Sequence, residues 1–265
     1  MSIDTISFSA LQDLDRCPHL FKIRRIDHVY IQDSTIETIF GKLIHRCCQN
    51  ILLDTLTIAS VCETMEYFQK IWDRFIRLYK KYLNASKTLY LKDCGLNILE
   101  NLKRTVDSYF KSGYTVFSVE EQIKLKALEK YPQNFKAYID IVFKIGDQYV
   151  ISDFKTCSSI YFFEKYLNKE KERQLVFYKY YFAKKYSIDI KNIKINFILL
   201  EKNPNSENPV KVKEITSGDR KIQNHLTYLD RSLNIIQDPG IYPKNRLGCT
   251  MYNGQCNFYR TKYCS

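Results

Sequence analysis

The sequence predicts an α/β protein in which a mixed sheet is flanked by helices, with a helical region before the sheet and a cysteine-bearing tail after it. Runs of β-branched and aromatic residues of strand length fall between residues 115 and 200, and stretches with helical spacing of apolar residues surround them. A hydrophobic content of 45% over 265 residues suffices for a substantial core. We expect one domain with N-terminal helices (1–57), a helical insertion (58–112), a core (113–201), and a C-terminal helix and tail (202–265).

The charge balance favours an acidic polymer or surface as the partner. Lys and Arg outnumber Asp and Glu by 41 to 29, a net charge of +12. A lysine-rich solvated surface is the alternative explanation of this charge. Since no apolar run approaches the roughly 20 residues that span a bilayer, and no signal pattern opens the chain, we expect a cytoplasmic protein with no membrane partner. Nine cysteines in a reducing compartment favour thiols or metal ligands over disulfides.

Three helical regions precede the predicted sheet. Ser7–Arg25 carries an apolar stripe that is broken at Pro18, where a new helical turn is expected to begin. Thr38–Leu56 has apolar residues at helical spacing, which places His45 near the edge of its buried face. Ile58–Phe110 is helical in pattern and holds no cluster of catalytic residue types, so we interpret it as a scaffold that covers the sheet.

The first predicted strand, Thr115–Ala127, contains two adjacent acids. Side chains of neighbouring strand residues point to opposite faces of a sheet. Only one of Glu120 and Glu121 can therefore join a site on a given face.

A predicted hairpin follows, and each of its strands carries an acid among apolar residues. Tyr138–Phe143 and Gln148–Ser152 are joined by a Gly146-Asp147 turn. Asp140 lies in the first strand and Asp153 follows the second. A carboxylate in such surroundings is costly unless a partner neutralises it.

A divalent cation is the partner that this pair of acids predicts. Two carboxylates that a hairpin brings together repel each other, and oxygen ligands with open water positions suit Mg²⁺ or Mn²⁺. Lys155 lies two residues after Asp153 and so projects to the same side of the strand. The hairpin therefore predicts a metal site with an ammonium group beside it.

Regular elements continue beyond the hairpin. Lys169–Tyr186 is a predicted helix in which Gln174 and Tyr178 lie one turn apart on the same face. Lys194–Leu200 is a further apolar strand, and Ser217–Ile236 is a final amphipathic helix.

These residues carry a resemblance to a known family. Asp140 followed by Asp153-Phe154-Lys155 resembles the signature of the PD-(D/E)XK nuclease superfamily, in particular its RecB-like branch. The flanking motifs of that branch occur in the expected order: Ser7-Phe8-Ser9-Ala10-Leu11, Cys17-Pro18-His19-Leu20-Phe21, Gly41-Lys42-Leu43-Ile44-His45 and Gln174-Leu175-Val176-Phe177-Tyr178. The resemblance extends from about Ser7 to Cys264 and implies a restriction-endonuclease-like core.

The resemblance implies hydrolysis of DNA by a nuclease that depends on Mg²⁺ or Mn²⁺. The metal ligands that it implies are carboxylates, a backbone carbonyl and an imidazole: Asp140, Asp153, Glu120, the carbonyl of Phe154, and His45. In the family this strand carries an acid a few residues before an apolar position. Glu120, three residues before Ile123, fits this spacing best, and Glu121 is the alternative. In the family pattern Lys155 orients the attacking water or stabilises charge on the phosphate, and Gln174 and Tyr178 position Lys155 and the DNA strand.

The resemblance also sets expectations for substrate and context. Single strands or DNA ends are the expected substrate, with exonuclease action favoured because the helical insertion could roof the site. DNA processing, recombination or repair with a helicase or recombination partner is the expected role. Two alternatives stay open: a nuclease-fold protein that binds DNA or a partner without cutting, and cleavage of RNA.

Four cysteines near the two ends of the chain form a second candidate site. AddB-type and CRISPR-adaptation-type nucleases hold a 4Fe-4S cluster with one N-terminal and three C-terminal cysteines, and the matching residues here are Cys17, Cys249, Cys256 and Cys264. The family tends to separate the first two tail cysteines by two residues, whereas six residues intervene here. A cluster, a structural zinc ion and unliganded thiols are the three interpretations.

Overall fold

The computed structural model describes residues 3–31, 35–53, 58–79, 84–111, 113–237, 242–250 and 255–264. It is of the predicted α/β class, with a mixed six-stranded sheet and flanking helices. The contacts divide the chain into two compact units. Unit 1 comprises Met1–Asp33, Gln122–Tyr138 and Gly218–Ser265, and unit 2 comprises Ser34–Glu121 and Ile139–Ser217.

The helices and strands are numbered in chain order. The helices are α1 (Phe8–Arg16), α2 (Pro18–Phe21), α3 (Ile36–Leu53), α4 (Ile58–Tyr79), α5 (Ala85–Phe110), α6 (Ile160–Lys165), α7 (Lys169–Tyr186) and α8 (Asp219–Gln237). The strands are β1 (Thr5–Ile6), β2 (Thr115–Lys126), β3 (Asn134–Ile145), β4 (Gln148–Cys157), β5 (Ile193–Glu201) and β6 (Val210–Ile215). Single helical turns at Lys22–Ile26, Ile190–Asn192 and Arg246–Cys249 complete the regular structure.

The sheet has the strand order β1-β3-β4-β5-β6, and β2 also pairs with β3. The predicted hairpin is the antiparallel pair β3 and β4, which turns at Gly146 with a φ of +56°, a conformation that favours glycine. Strand β5 runs parallel to β4, and the α6–α7 segment makes the crossover between them. Strand β6 pairs antiparallel with β5.

Unit 2 has a core between its helices and one face of its strands. Phe40, Phe68 and Trp72 make edge-to-face and stacked contacts with one another among the buried residues of α3, α4 and α5. Phe154 and Ile198 contribute to the same core from β4 and β5. Because side chains alternate along a strand, the neighbours of Phe154 are directed to the other face of β4.

Unit 1 joins the N-terminal helices to the C-terminal tail. Ser7 caps α1 by accepting a hydrogen bond from the Ala10 amide at 3.3 Å. The Arg16 guanidinium donates to the Gly248 carbonyl at 2.7 Å. A Cβ atom at Gly248 would collide with the Arg16 carbonyl oxygen, so this close approach requires glycine.

Several elements differ from the sequence-based expectations. The helical stretch predicted for Ile58–Phe110 consists of two helices, α4 and α5, and residues 80–83 between them lie outside the described residues. Three short elements were not predicted: β1, α6 and β6. Within the part of the chain that the structure describes, no helix has both the length and the apolar character needed to span a membrane.

Candidate active site

The two acids of the hairpin lie on neighbouring strands of unit 2 and are joined through the backbone. The amide of Phe154 donates a hydrogen bond to Asp140 Oδ2 at 2.8 Å, which holds this carboxylate beside the residue that follows Asp153. Asp153 is buried and Asp140 is half-buried. The strand pairing therefore brings two carboxylates together in a largely desolvated place.

Lys155, Gln174 and Tyr178 form a hydrogen-bond network around Asp153. Lys155 Nζ lies 2.7 Å from Asp153 Oδ2 and donates to Gln174 Oε1 at 3.0 Å. The Gln174 amide in turn donates to Asp153 Oδ1 at 3.1 Å and to the Tyr178 hydroxyl at 2.6 Å. Residues 174 and 178 lie one turn apart on α7, so the helix holds both the lysine and the aspartate in place.

Asp153 Oδ2 has only part of the bonding that a buried carboxylate oxygen needs. Its contact is with Lys155 Nζ, at 2.7 Å, and no further donor among the described residues reaches it. A buried carboxylate oxygen with a single partner is not fully compensated for its loss of hydration. This oxygen is therefore a position where a bound cation would be stabilised.

The electrostatics of Asp140 also favour a cation. Burial, and then repulsion from Asp153, hold the pKa of Asp140 well above its usual range, although the hydrogen bond from Phe154 acts in the opposite direction. Burial alone would lower the pKa of Lys155, but the Asp153 carboxylate outweighs it and keeps that pKa above its ordinary value. Lys155 is therefore positively charged, and its single charge compensates only part of the negative charge of Asp140 and Asp153.

His45 lies on α3 beside these acids. Its Nδ1 atom is 3.7 Å from Asp140 Oδ2, and its ring is 5.6 Å from the ring of Phe154. Burial lowers the pKa of His45 to about 4, against the opposing effect of Asp153. The imidazole is therefore neutral at pH 7, which is the form that binds metal ions.

Gln49 connects Glu120 to the Asp140 backbone. Its buried side-chain amide donates to Glu120 Oε1 at 2.7 Å and to the Asp140 carbonyl at 3.1 Å. Glu120 has a φ of +48°, a left-handed conformation that costs a non-glycine residue on the order of 1–3 kcal/mol. Strain of this kind inside a strand persists when surrounding contacts hold the residue, and the hydrogen bond from Gln49 is one such contact.

Glu121 is engaged elsewhere. Its carboxylate pairs with Lys185 and accepts a hydrogen bond from the Tyr186 hydroxyl at 2.7 Å. These contacts lower the pKa of Glu121, although burial, the largest single effect on it, acts to raise it. The two adjacent acids thus have different partners, and only Glu120 shares a partner with Asp140.

The structure brings most of the predicted site residues together in unit 2. Direct contacts link Asp140 to His45 and Phe154, and a second network links Asp153 to Lys155, Gln174 and Tyr178. Gln49 was missed by the sequence analysis. Its position in the sequence could have indicated it, because Gln49 lies four residues after His45, one turn further along the same face of the helix.

The donor set fits a divalent metal ion by its chemistry. Oxygen donors of Asp140, Asp153 and Glu120 with the neutral His45 ring are types that Mg²⁺ or Mn²⁺ accepts, and among the described residues Asp153 Oδ2 has no partner besides Lys155. Among the described residues, however, no three His, Cys, Asp or Glu side chains are already gathered as a ligand set.

The four candidate cluster cysteines lie together in unit 1. All four line one small cavity with Phe258, and the Asn245 amide donates to Cys17 Sγ at 3.2 Å. Burial raises the pKa of Cys249, and the thiols of Cys256, Cys264 and Cys17 add to this shift, so these three lie close enough to act on Cys249. Thiolate ligands would suit such a cavity, although the side chains described there are not arranged as a ready metal site.

Asp140→Asn is expected to stabilise the metal-free protein at pH 7.5 by roughly 1–3 kcal/mol, the cost of a poorly compensated buried polar group. Because the pKa of Asp140 is higher in the folded protein than in the unfolded chain, ionisation of Asp140 destabilises the fold as the pH rises. The gain should therefore shrink as the pH falls towards the ordinary aspartate value. Thermal unfolding in EDTA measures it.

Asp147→Asn is the matched control for this change, because Asp147 is an exposed acid in the turn of the same hairpin. It should leave the melting temperature nearly unchanged. A lower melting temperature for Asp140→Asn in EDTA would show that the hydrogen bond from Phe154 outweighs the repulsion.

Comparisons with known proteins bear on the family and the fold. The family model of the PD-(D/E)XK nuclease superfamily matches residues 5–261. A crystal structure from Eubacterium rectale, of a protein assigned as a candidate exonuclease, aligns with 96% of this chain and 86% of its own at a TM-score of 0.56. The identity is 13%, so this likeness shows the fold alone.

One curated relative matches part of the chain. Dynein heavy chain-like protein 2 of Plasmodium falciparum is 23% identical over 134 residues, which is 48% of this chain. The chain spans 3% of the length of that relative, so the match bears on neither activity nor partners. The family model, in contrast, matches nearly the whole chain and includes every residue of the candidate active site. The chain belongs to the PD-(D/E)XK nuclease superfamily.

Proposed function

We propose that the protein hydrolyses phosphodiester bonds of DNA at the site formed by Asp140, Asp153 and Lys155. The observation that carries this proposal is the ion pair of Lys155 with Asp153, held by Gln174 beside the second carboxylate. Members of this superfamily generally use divalent metal ions. A chain that had lost catalysis would have no need of a desolvated acid pair with a lysine.

The residues that would hold Mg²⁺ or Mn²⁺ are oxygen and imidazole donors: Asp140, Asp153, Glu120, the Phe154 carbonyl and His45. When bound, such an ion supplies charge that polarises the scissile phosphate and lowers the pKa of water. Gln49 would hold the Glu120 carboxylate towards Asp140.

Lys155 would act on the phosphate and on the attacking water. Its ammonium is fixed between Asp153 and Gln174, and an ammonium aimed at developing negative charge stabilises the transition state. Gln174 is itself held by the Tyr178 hydroxyl, so the lysine loses little freedom on substrate binding. This arrangement would orient the lysine before the DNA arrives.

The finer parts of the proposal rest on the RecB-like motifs and, for exonuclease action, on the helical insertion that could roof the site. We propose that the protein belongs to that branch, acts as an exonuclease on single strands or DNA ends, and works in the cytoplasm in DNA processing, recombination or repair with a helicase or recombination partner. Residues 1–265 would form a single nuclease domain.

The test is a substrate panel with linear single-stranded DNA, linear duplex DNA, single-stranded RNA and a covalently closed single-stranded circle, each with Mn²⁺ and with EDTA. The expected result is release of mononucleotides or short products from linear DNA in Mn²⁺, with little cutting of the circle. Rapid cutting of the circle would contradict exonuclease action, and cleavage of RNA alone would contradict the substrate class.

Gln49→Met is expected to raise the Mn²⁺ concentration needed for half-maximal cleavage by about 10- to 100-fold, the usual effect of losing a group that orients a metal ligand. Methionine keeps the length and the packing of the side chain but cannot donate to Glu120 or to the Asp140 carbonyl. Cleavage rates across a Mn²⁺ titration measure the shift.

A purely structural role for Gln49 would lower stability without changing the metal dependence. Gln122→Met provides a comparison, because Gln122 is an exposed glutamine on the same strand as Glu120. If Gln49 has the proposed role, Gln122→Met should show the same Mn²⁺ dependence of cleavage as the parent. The cleavage rate of Gln49→Met should rise when more Mn²⁺ is added.

We also propose a 4Fe-4S cluster on Cys17, Cys249, Cys256 and Cys264. Four thiolates are the complete ligand set of such a cluster, and the four side chains share one cavity in unit 1. A zinc ion on the same thiolates is the alternative. The role would be structural, since all catalytic candidates lie in unit 2.

A further inference from the structure

The short helix α6 carries an exposed aromatic surface that the proposed catalytic site does not use. The helix carries Tyr161 and Phe162, and Tyr166 directly follows its last residue. The exposed fractions are 65% for Tyr161, 53% for Phe162 and 60% for Tyr166. Their rings touch: Tyr161 and Phe162 meet edge to face at 5.4 Å, and Phe162 and Tyr166 stack at 6.3 Å. Single exposed aromatics are ordinary, but a contiguous group marks an interaction surface.

The opposite side of α6 is anchored to the sheet, which fixes the aromatic group in its outward position. The Phe163 ring packs on Phe197 of β5 at 5.6 Å, and the Ile160 amide donates to Glu201 Oε1 at 3.0 Å. Glu164 pairs with Lys211 of β6 at 2.8 Å. The rings are therefore presented by a supported helix.

The charge around these rings is positive. Lys165 Nζ lies over both Tyr161 and Tyr166, at 5.9 and 5.7 Å from their centroids. Lys171 lies over Phe163, and Lys211 and Lys213 contact Glu164. With Glu201, which contacts the Ile160 amide, this contact group has four lysines and two glutamates, which leave two positive charges at neutral pH.

The aromatic surface is close to the candidate site along the chain. Tyr161 lies six positions after Lys155, so at roughly 3.3–3.6 Å per residue the two Cα atoms are at most about 22 Å apart. A few nucleotides of a strand cover such a distance. A strand held at Lys155 can thus reach α6 without leaving unit 2.

We propose that Tyr161, Phe162 and Tyr166 bind single-stranded DNA by stacking on its unpaired bases, while the lysines around them contact its phosphates. This inference rests on the proposed function and adds the form of DNA that the site takes. Aromatic rings next to lysines are the combination that binds single strands regardless of sequence, because every base has a flat face. Duplex DNA hides those faces and would gain only the charge contacts.

The binding test uses the full chain in EDTA, which prevents cleavage, and fluorescence anisotropy with labelled oligothymidylate of 20 nucleotides. Tyr161→Ala and Tyr166→Ala should each weaken binding about tenfold, and the double variant about 100-fold, in line with the value of a stacked base. Tyr161→Phe should bind as the parent does, since the ring is kept. Tyr30→Ala is the matched control, because Tyr30 is 66% exposed in unit 1.

Two further probes separate stacking from charge. An abasic oligonucleotide of the same length should bind the parent and the double variant equally, as should a 20-base-pair duplex. Light-induced crosslinking of 5-iodouracil oligonucleotides to the unmodified protein should label Tyr161 or Tyr166 and needs no variant. Unchanged oligothymidylate binding by the double variant would overturn the inference and point to a protein partner for this surface. An equal loss with the abasic probe would overturn base stacking and show that the surface contacts only the sugar-phosphate backbone.

Failure of this inference differs from failure of the proposed function. If the parent cleaves DNA in Mn²⁺ and the double variant has the same KM and kcat, the surface has no role in DNA binding and the nuclease proposal stands. A second outcome is that the parent binds oligothymidylate without cleaving any nucleic acid, while the double variant does not bind it. In that case the surface binds single strands and the nuclease proposal is wrong. The expected result is a raised KM with little change in kcat.

Discussion

Asp153→Asn is expected to lower the rate of Mn²⁺-dependent DNA cleavage by about 10³-fold or more. The change removes one charge from the proposed metal ligands and the partner of the Lys155 ammonium. Loss of a single well-placed electrostatic group commonly costs about 10²–10³ in kcat, and loss of the metal would add to this. Single-turnover cleavage of a labelled linear strand measures the loss, and circular dichroism establishes that the variant is folded.

Lys155→Ala should show a similar loss while binding DNA normally. Glu121→Gln is the matched control, since this acid lies next to Glu120 but pairs with Lys185 and Tyr186. It should keep activity within a few fold. Parent-like cleavage by either Asp153→Asn or Lys155→Ala would show that the chemistry takes place elsewhere.

Cys17→Ser is expected to bleach anaerobically purified protein and to destabilise unit 1. The parent should be brown, with broad absorbance in the blue part of the visible spectrum. By analogy with a disulfide, closing a loop of nearly the whole chain stabilises the fold by on the order of 4–5 kcal/mol. Iron and sulfide analysis, with thermal unfolding of the same samples, measures both effects.

Cys62→Ser is the control, because Cys62 is an exposed thiol on α4. It should leave colour and melting temperature unchanged. Colourless parent protein with stoichiometric zinc would favour the zinc site. Colourless protein without either metal, together with a Cys17→Ser variant as stable as the parent, would refute both metal proposals.

The elements that were predicted well are those with strong local patterns. The hairpin of β3 and β4 has apolar strands on either side of a glycine turn, and α7 has the bounds Lys169–Tyr186 that its spacing predicted. Strand β1 was missed because it has two residues and exists through its parallel pairing with Asn134 and Phe135, which is remote in sequence. Strand β6 follows a polar loop and alternates valine with lysine, a pattern too short to identify alone.

Parts of the candidate site depended on tertiary contacts that no motif records. Glu120 adopts a left-handed conformation inside a strand, which its residue type does not suggest. Gln49 carries no charge and is no usual metal ligand, so its contacts with Glu120 and the Asp140 carbonyl became visible only in the folded chain. The helix α6 could not be predicted from its sequence, because the aromatic residues of Ile160–Lys165 do not recur at helical spacing.

The most direct test of the central claim is to measure Mn²⁺ binding and DNA cleavage on the same samples. Electron paramagnetic resonance of free Mn²⁺ gives the binding curve of the parent and of Asp140→Asn, and cleavage of a linear strand is followed at each Mn²⁺ concentration. We predict that parent cleavage rises in step with Mn²⁺ binding and that Asp140→Asn loses both. Cleavage that persists in EDTA, or parent-like Mn²⁺ binding and cleavage by Asp140→Asn, would contradict the assignment of the active site.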